Sequence, residues 1–148
     1  MEIVMWADLQ CPFCLVGEAN LQNAIRELGL EDQVKLDIKS YEVHRPQDGE
    51  GDKEMLQIFQ DKEGFTKEGA IAHIADINKM EKEEAGIIMD FGKCHESTDF
   101  DAHRLYKYAM DHGKGKVVRD LLHQAYFIDH KVLADIHTLL EIWSYVKI

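Results

Sequence analysis

Apolar and polar positions alternate along this chain in two distinct rhythms. Residues 3 to 7, IVMWA, form a short unbroken apolar run that stops at Asp8, the length and continuity of a buried strand. Leu15, Val16, Ala19, Leu21, Ala24, Ile25 and Leu28 then recur at helical spacing until Gly29, a residue suited to ending a helix. From Lys35 to Val43, KLDIKSYEV alternates imperfectly, as a second strand would. The opening 45 residues therefore predict a β-α-β unit. After the turn-forming, charged segment 46-PQDGEGD-52 only the helical rhythm remains. Leu56 and Phe59 predict a short helix over 53–63, and Ile71, Ile74, Ala75 and Ile77 a longer one over 66–84. The run 86-GIIMDF-91 reads as extended or loop. Three further helices are marked by Ala102, Leu105, Tyr106, Ala109 and Met110; by Val117, Val118, Leu121, Leu122, Ala125 and Tyr126; and by Leu133, Ile136, Leu139, Leu140 and Trp143. The expected organisation is an α/β unit over 1–45 and a helical subdomain over 46–148.

Composition narrows the function classes. At 148 residues, with 45% apolar and 30% charged residues, the chain can bury a core without a disulfide staple. Its 28 acidic against 17 basic residues give a net charge of -11, which repels phosphate backbones and anionic lipid and argues against nucleic-acid and membrane partners. No apolar run approaches the roughly 20 residues of a membrane span, and Met1-Glu2-Ile3 lacks the opening of a secretory signal. A cytoplasmic location is expected. There, two cysteines separated by two residues point to redox chemistry or metal binding rather than to a permanent crosslink.

Those cysteines lie in 8-DLQCPFCLVGE-18, between strand and helix. At the N-cap or first turn, Cys11 meets unpaired backbone N–H groups and the positive end of the helix dipole, which stabilise a thiolate. Pro12 suits that turn, its φ being already helical and its missing N–H one that would go unpaired. The spacing brings Cys14 inward beside Cys11, with a pKa nearer that of a free thiol. Such asymmetry suits an exchange in which the exposed sulfur attacks a disulfide and the second resolves the mixed intermediate. Phe13 offers no hydrogen-bond donor and Asp8 opposes a nearby negative charge, so a Cys11 pKa above the ~3.5 of the strongest oxidants is expected. Two other readings stand beside this one. A zinc site would want spaced ligand pairs, which the adjacent Cys94 and His95 supply poorly; the cysteines could also simply fill a helical turn. Cys94 reads as a free buried thiol.

In four stretches the chain resembles the DsbA-like branch of the thioredoxin superfamily, and within it the FrnE-type proteins: 4-VMWADLQCPFCLVGEANL-21, 41-YEVHRP-46, 97-STDFDAHRLYKYAMDHGK-114 and 121-LLHQAYFIDHKVLAD-135. The resemblance implies a thioredoxin fold interrupted by a helical insertion that roofs the site. It also implies a catalytic pair in which Cys11 attacks and Cys14 resolves, a thiol or disulfide substrate, and no metal or organic cofactor. His103, in the A-H-R-L stretch, is implied to support the site, whereas Arg104 reads as a structural ion pair on a helix capped at Ser97, Thr98 or Asp99. The chain departs from the family after the insertion, where two further strands, a cis-proline loop and a final helix would follow. The C-terminal half of the sheet is missing from it. With the first strand central in such a sheet, residues 3 to 7 are left with an unpaired apolar edge, which predicts a homodimer or higher oligomer. Two alternatives to an oxidoreductase follow: a glutathione-dependent isomerase or transferase like the hydroxychromene carboxylate isomerases, and a non-enzymatic binding module that recruits a partner strand.

Overall fold

The computed structural model describes residues 1–43 and 51–147. Most of the turn-forming segment on which the boundary between 1–45 and 46–148 rests, including Pro46, lies outside the described residues, as do His44 and Arg45.

Strand β1 (Glu2–Ala7) leads through the cysteine turn into α1 (Pro12–Glu27), which returns the chain to β2 (Lys35–Ser40). The two strands run parallel, in register from Glu2 opposite Lys35 to Ala7 opposite Ser40, so α1 is the crossover that a parallel pair requires. Helix α1 ends where expected. Gly29 takes a left-handed φ of +64°, and the N–H groups of Gly29 and Leu30 donate to the carbonyls of Arg26 and Ile25, both at 3.0 Å.

Strand β2 stops at Ser40, short of the expected Val43. Tyr41 makes the last ladder bond, to the Ala7 carbonyl at 3.0 Å, and the Val43 N–H turns to the Asp8 carboxylate at 2.6 Å. A side-chain acceptor thus takes the donor that a longer ladder would have used. The expected burial of residues 3 to 7 is also corrected. Val4 and Trp6 are 50% and 64% exposed, because no described element covers their face of the sheet, while Ile3 and Met5 on the other face are half-buried.

The remainder is helical. Helix α2 (Met55–Asp61) and α3 (Lys67–Met80) precede a π-helical turn at Glu81–Ala85, so the helix expected over 66–84 is wound more loosely in its last turn. A loop and a 3-10 turn at Phe91–Lys93 lead to α4 (Phe100–Asp111) and α5 (Gly115–His123). A second π turn, Gln124–Ile128, and α6 (Ile136–Val146) complete the described chain. Thr66 caps α3 by accepting from the Gly69 N–H at 3.0 Å, and Asp135 caps α6 by accepting from the His137 N–H at 2.9 Å. Some predicted helix faces are rotated. Ile71, Ile136 and Leu140 are exposed, and the buried stripes are Ala70, Ile74 and Ile77 on α3 and Leu139, Ile142 and Val146 on α6.

Val118, Leu122, Tyr126, Phe127 and Leu133 form the centre of the core, none more than 1% exposed. Leu9, from the turn before the cysteines, and Leu15 of α1 join the same cluster. The dithiol turn is therefore anchored in the helical core by its own apolar side chains. Among the described residues, no helix is long and apolar enough to cross a membrane.

Candidate active site

Cys11 is the N-cap of α1, with extended φ and ψ, and its sulfur accepts the Cys14 N–H at 3.4 Å. Pro12 occupies the first helical position and is buried, whereas Phe13 is exposed beside the pair. Cys11 and Cys14 are both partly exposed free thiols, and Cys11 lines a cavity of about 200 Å3 with Phe13, Met55, Phe59, Phe91 and Tyr126. The helical part roofs this space with aromatic side chains, leaving the sulfur next to an apolar hollow.

Hydrogen bonds lock the turn from two sides. Asp8, 4% exposed, accepts from the N–H groups of Gln10 and Val43, each at 2.6 Å. Gln10 clamps the chain before α4: its Nε2 donates to the Ser97 carbonyl at 2.7 Å and its Oε1 accepts from the Ser97 N–H at 3.2 Å. On the far side of α1, the buried Glu18 carboxylate accepts from Nε of Arg119 on α5 at 2.7 Å and forms an ion pair with its Nη2 at 2.6 Å. The Arg119 guanidinium also lies 5.5 Å from the Tyr106 ring centroid, a cation–π distance.

The two thiols share a hydrogen bond, and with it a proton. That bond lowers Cys14 to about 6; partial burial opposes the shift, while the Asp8 main chain and the charge of Arg119 add to it. The same bond, reinforced by burial and by the Asp8 charge, pushes Cys11 up. The Arg119 guanidinium and the Asp8 carboxylate thus act on the two sulfurs unequally. After the mutual bond and burial, the carboxylate acts against a Cys11 thiolate and the guanidinium favours one at Cys14.

His103 does not line the Cys11 cavity. It is 5% exposed, with Nε2 3.2 Å from the Asp99 carboxylate, and it lines a second cavity of about 330 Å3 beside Ser40 and Tyr41. Asp8, Asp99 and His103 bring one ligand-type atom each within 4.8 Å of one another. Burial and the neighbouring Asp99 raise Asp8 to about 7. These three are the described residues that could gather around a metal ion. A zinc centre with bonds near ~2.0–2.2 Å needs a tighter set, and Asp8 already has a main-chain donor on each oxygen. Arg104 forms the expected ion pair, 2.8 Å from Asp101, on the exposed side of α4. Cys94 is wholly buried, its thiol directed at the Tyr126 carbonyl at 3.4 Å and pushed up to about 12 by burial, while His95 is drawn into a bridge with Glu54. Among the described residues, the adjacent pair joins no ligand set.

Asp99 was available to sequence reasoning, standing four residues before His103 and so on the same helical face. Glu18 and Arg119 lie 101 residues apart with no local pattern between them.

Among curated proteins, a sequence comparison finds no match. Among solved structures, a probable DsbA oxidoreductase from Streptomyces coelicolor superposes with a TM-score of 0.89 at 25% identity. That match covers 100% of this chain and 63% of the other, so the chain spans less than two thirds of its structural relative. Residues 2–147 match the DSBA-like thioredoxin domain. The β-α-β unit, the dithiol at the N-terminus of its helix and the helical roof are thus those of a family to which nearly every residue aligns, and the chain belongs to the DSBA-like thioredoxin family.

Proposed function

We infer that the chain is a FrnE-type thiol-disulfide oxidoreductase cycling Cys11 and Cys14 between dithiol and disulfide. The observation that carries this reading is a pair of free thiols at a helix N-cap, with Cys11 accepting the Cys14 N–H and lining an apolar cavity. When the proton sits on Cys14, Cys11 is the thiolate and faces the cavity. It attacks a substrate disulfide, a bond forms between Cys11 and one substrate sulfur, and the other leaves as a thiolate. Cys14 then loses its proton and attacks Cys11, closing the protein disulfide and releasing the second substrate sulfur. Two electrons pass from protein to substrate; running the steps backwards oxidises a substrate dithiol.

The apolar walls suit a thiol or disulfide carried on an apolar peptide or small molecule, and the acidic surface disfavours polyanionic partners. Residues 1–45 act as the thiol-bearing unit and 46–148 as its helical cover, in a cytoplasmic protein that pairs with a second copy through the sheet carrying Val4 and Trp6. No cofactor enters the cycle. A redox titration in glutathione buffers, counting alkylated thiols by mass, tests the proposal. Cys11 and Cys14 are expected to interconvert as a pair between roughly -270 and -120 mV, and Cys11→Ser to abolish the transition. A dithiol that persists at every glutathione ratio refutes the reading.

A further inference from the structure

The apolar cavity beside Cys11 holds one side chain that the cycle above does not use. His73 of α3 lines that cavity together with Cys11 and Phe13. Two other rings hold its imidazole: Phe65 stacks on it at 5.2 Å and 20°, and Phe59 meets it edge-on at 5.0 Å and 82°. The Phe65 N–H donates to the Phe59 carbonyl at 3.2 Å, so the turn after α2 fixes both of these rings together. Neither nitrogen of His73 has a hydrogen-bond partner among the described residues. The other titratable groups across the cavity from Cys11 are engaged. Asp8 accepts from the Gln10 and Val43 N–H groups, Asp99 lies against His103, and Glu96 pairs with Lys62 at 3.2 Å. Burial keeps the Tyr126 hydroxyl protonated. Among the described residues lining the space, His73 is the one basic side chain.

We propose that His73 is a further catalytic residue of the exchange, a general acid that protonates the substrate sulfur as it leaves. This rests on the oxidoreductase reading. An alkyl thiolate is a basic leaving group, with a pKa of about 8.5 for a cysteine, and apolar walls do not stabilise its charge. Phe13, between the cysteines, has no proton to give, so the donor comes from the helical part. The Cys11 thiolate attacks one sulfur of the disulfide, and the electron pair of the broken S–S bond goes to the second sulfur. That sulfur takes the proton of the His73 imidazolium. The products are the Cys11 mixed disulfide, a neutral substrate thiol and a neutral imidazole, which regains its proton from water because the ring is only half-buried. Run backwards, the neutral imidazole takes the proton of a substrate thiol as its sulfur attacks the mixed disulfide. Imidazole suits both roles, since it changes charge near neutral pH. The ionisable groups that share its cavity are Cys11, Asp8, Glu96, Asp99 and Tyr126. From α2 and the 3-10 turn, which pack against α3, the same lining receives only Met55, Phe59 and Phe91.

A general acid matters only where the leaving thiolate is basic, so two uncharged disulfides separate this role from a structural one. Hydroxyethyl disulfide releases a basic alkyl thiolate, whereas dithiodipyridine releases an aromatic thiolate stable enough to leave without a proton. Reduced wild-type protein and His73→Gln are mixed with each, quenched with acid and alkylated, and the loss of free Cys11 is followed by mass. His73→Gln is expected to slow the reaction with hydroxyethyl disulfide by about 100-fold and to leave that with dithiodipyridine unchanged. In the wild-type protein the rate with hydroxyethyl disulfide is expected to fall on the alkaline side of neutral pH, as the imidazole loses its proton. That limb should be absent with dithiodipyridine and in the variant. Should His73→Gln fail to fold, His73→Phe keeps a ring on Phe65 and carries the same comparison, with the same losses expected. Equal losses with the two disulfides, or no loss with either, overturn the role of His73 and leave the oxidoreductase reading standing. A wild-type protein whose Cys11 reacts with neither disulfide removes both.

Discussion

The two parts of this molecule handle the same kind of apolar residue differently. Val118 and Leu122 of the helical part are wholly buried, whereas Val4 and Trp6, in an equally regular element, are at least half exposed. A helix satisfies its backbone internally and needs only one stripe covered; a parallel strand has two faces and two edges to satisfy. Among the described residues the helices meet their requirement with one another, and the strand pair meets only half of its own, through α1 and α4. The dithiol lies where the parts join, and side chains from both hold it: Leu9 in the helical core, Gln10 against Ser97, and Glu18 against Arg119.

The largest break in this arrangement is expected at that last pair. Arg119→Gln leaves the buried Glu18 carboxylate without its cation, and removing one partner of a buried pair costs about 3–5 kcal/mol. Urea denaturation measures the loss, and Glu18→Gln combined with Arg119→Gln should recover much of it, since neither charge then remains. The single variant should also raise the Cys14 pKa, because the guanidinium favours its thiolate; thiolate absorbance against pH reads this independently of stability. A loss below about 1 kcal/mol, the range of an exposed pair, would mean that the parts are held by apolar packing alone.

The contrast between the parts also explains what the sequence made legible. Helix spacing in residues such as Ala102, Tyr106 and Ala109 reports a face that this chain itself covers, and α4 buries all three. The run IVMWA reports a strand meant to be covered on both faces, and its predicted burial fails because nothing described covers Val4 and Trp6. Cys11, Pro12 and Cys14 were readable because their positions on a helix terminus follow from local sequence. The Glu18–Arg119 pair was not, because its partners lie 101 residues apart in the chain. His103 was singled out within its motif, but its link to Asp8 exists only once α4 packs across the turn.

A smaller effect sharpens the comparison inside the helical part, whose burial is not uniformly favourable. Glu81, at the start of the first π turn, is wholly buried, and neither carboxylate oxygen has a partner. Burial, with a contribution from Glu84, raises it from 4.5 to about 7. Its folded pKa exceeds its unfolded one, so its stabilising protonation is complete below about pH 4.5 and is lost as pH rises toward 7. Asp8, raised from 3.8 to about 7, contributes with the same sign. Thermal midpoints of the wild-type protein should therefore fall across this window. Glu81→Met should flatten part of the slope and stabilise the protein by about 1–2 kcal/mol at pH 7, within the range for replacing buried charge by an apolar side chain. A parallel curve for the variant would place the slope on other groups.

The smallest effect on folding, and the clearest on assembly, is expected at the bare face of the sheet. Trp6 lies opposite Lys39 in the strand register, and the face it shares with Val4 is open. An exposed side chain away from caps and cavities changes stability by no more than about 0.5 kcal/mol on substitution, so Trp6→Lys should leave denaturation by urea almost unmoved. If two copies cover this face for each other, the same change sets a lysine against apolar surface and beside Lys39, and sedimentation should show dissociation at concentrations where the wild-type protein is dimeric. These readouts separate three structures. A loss of several kcal/mol would mean that Trp6 is covered within one chain. Unchanged folding with lost self-association would place the second copy on the sheet. A wild-type protein that remains monomeric at every accessible concentration would show that a two-stranded sheet, braced by α1 and the Glu18–Arg119 pair, tolerates an open apolar face.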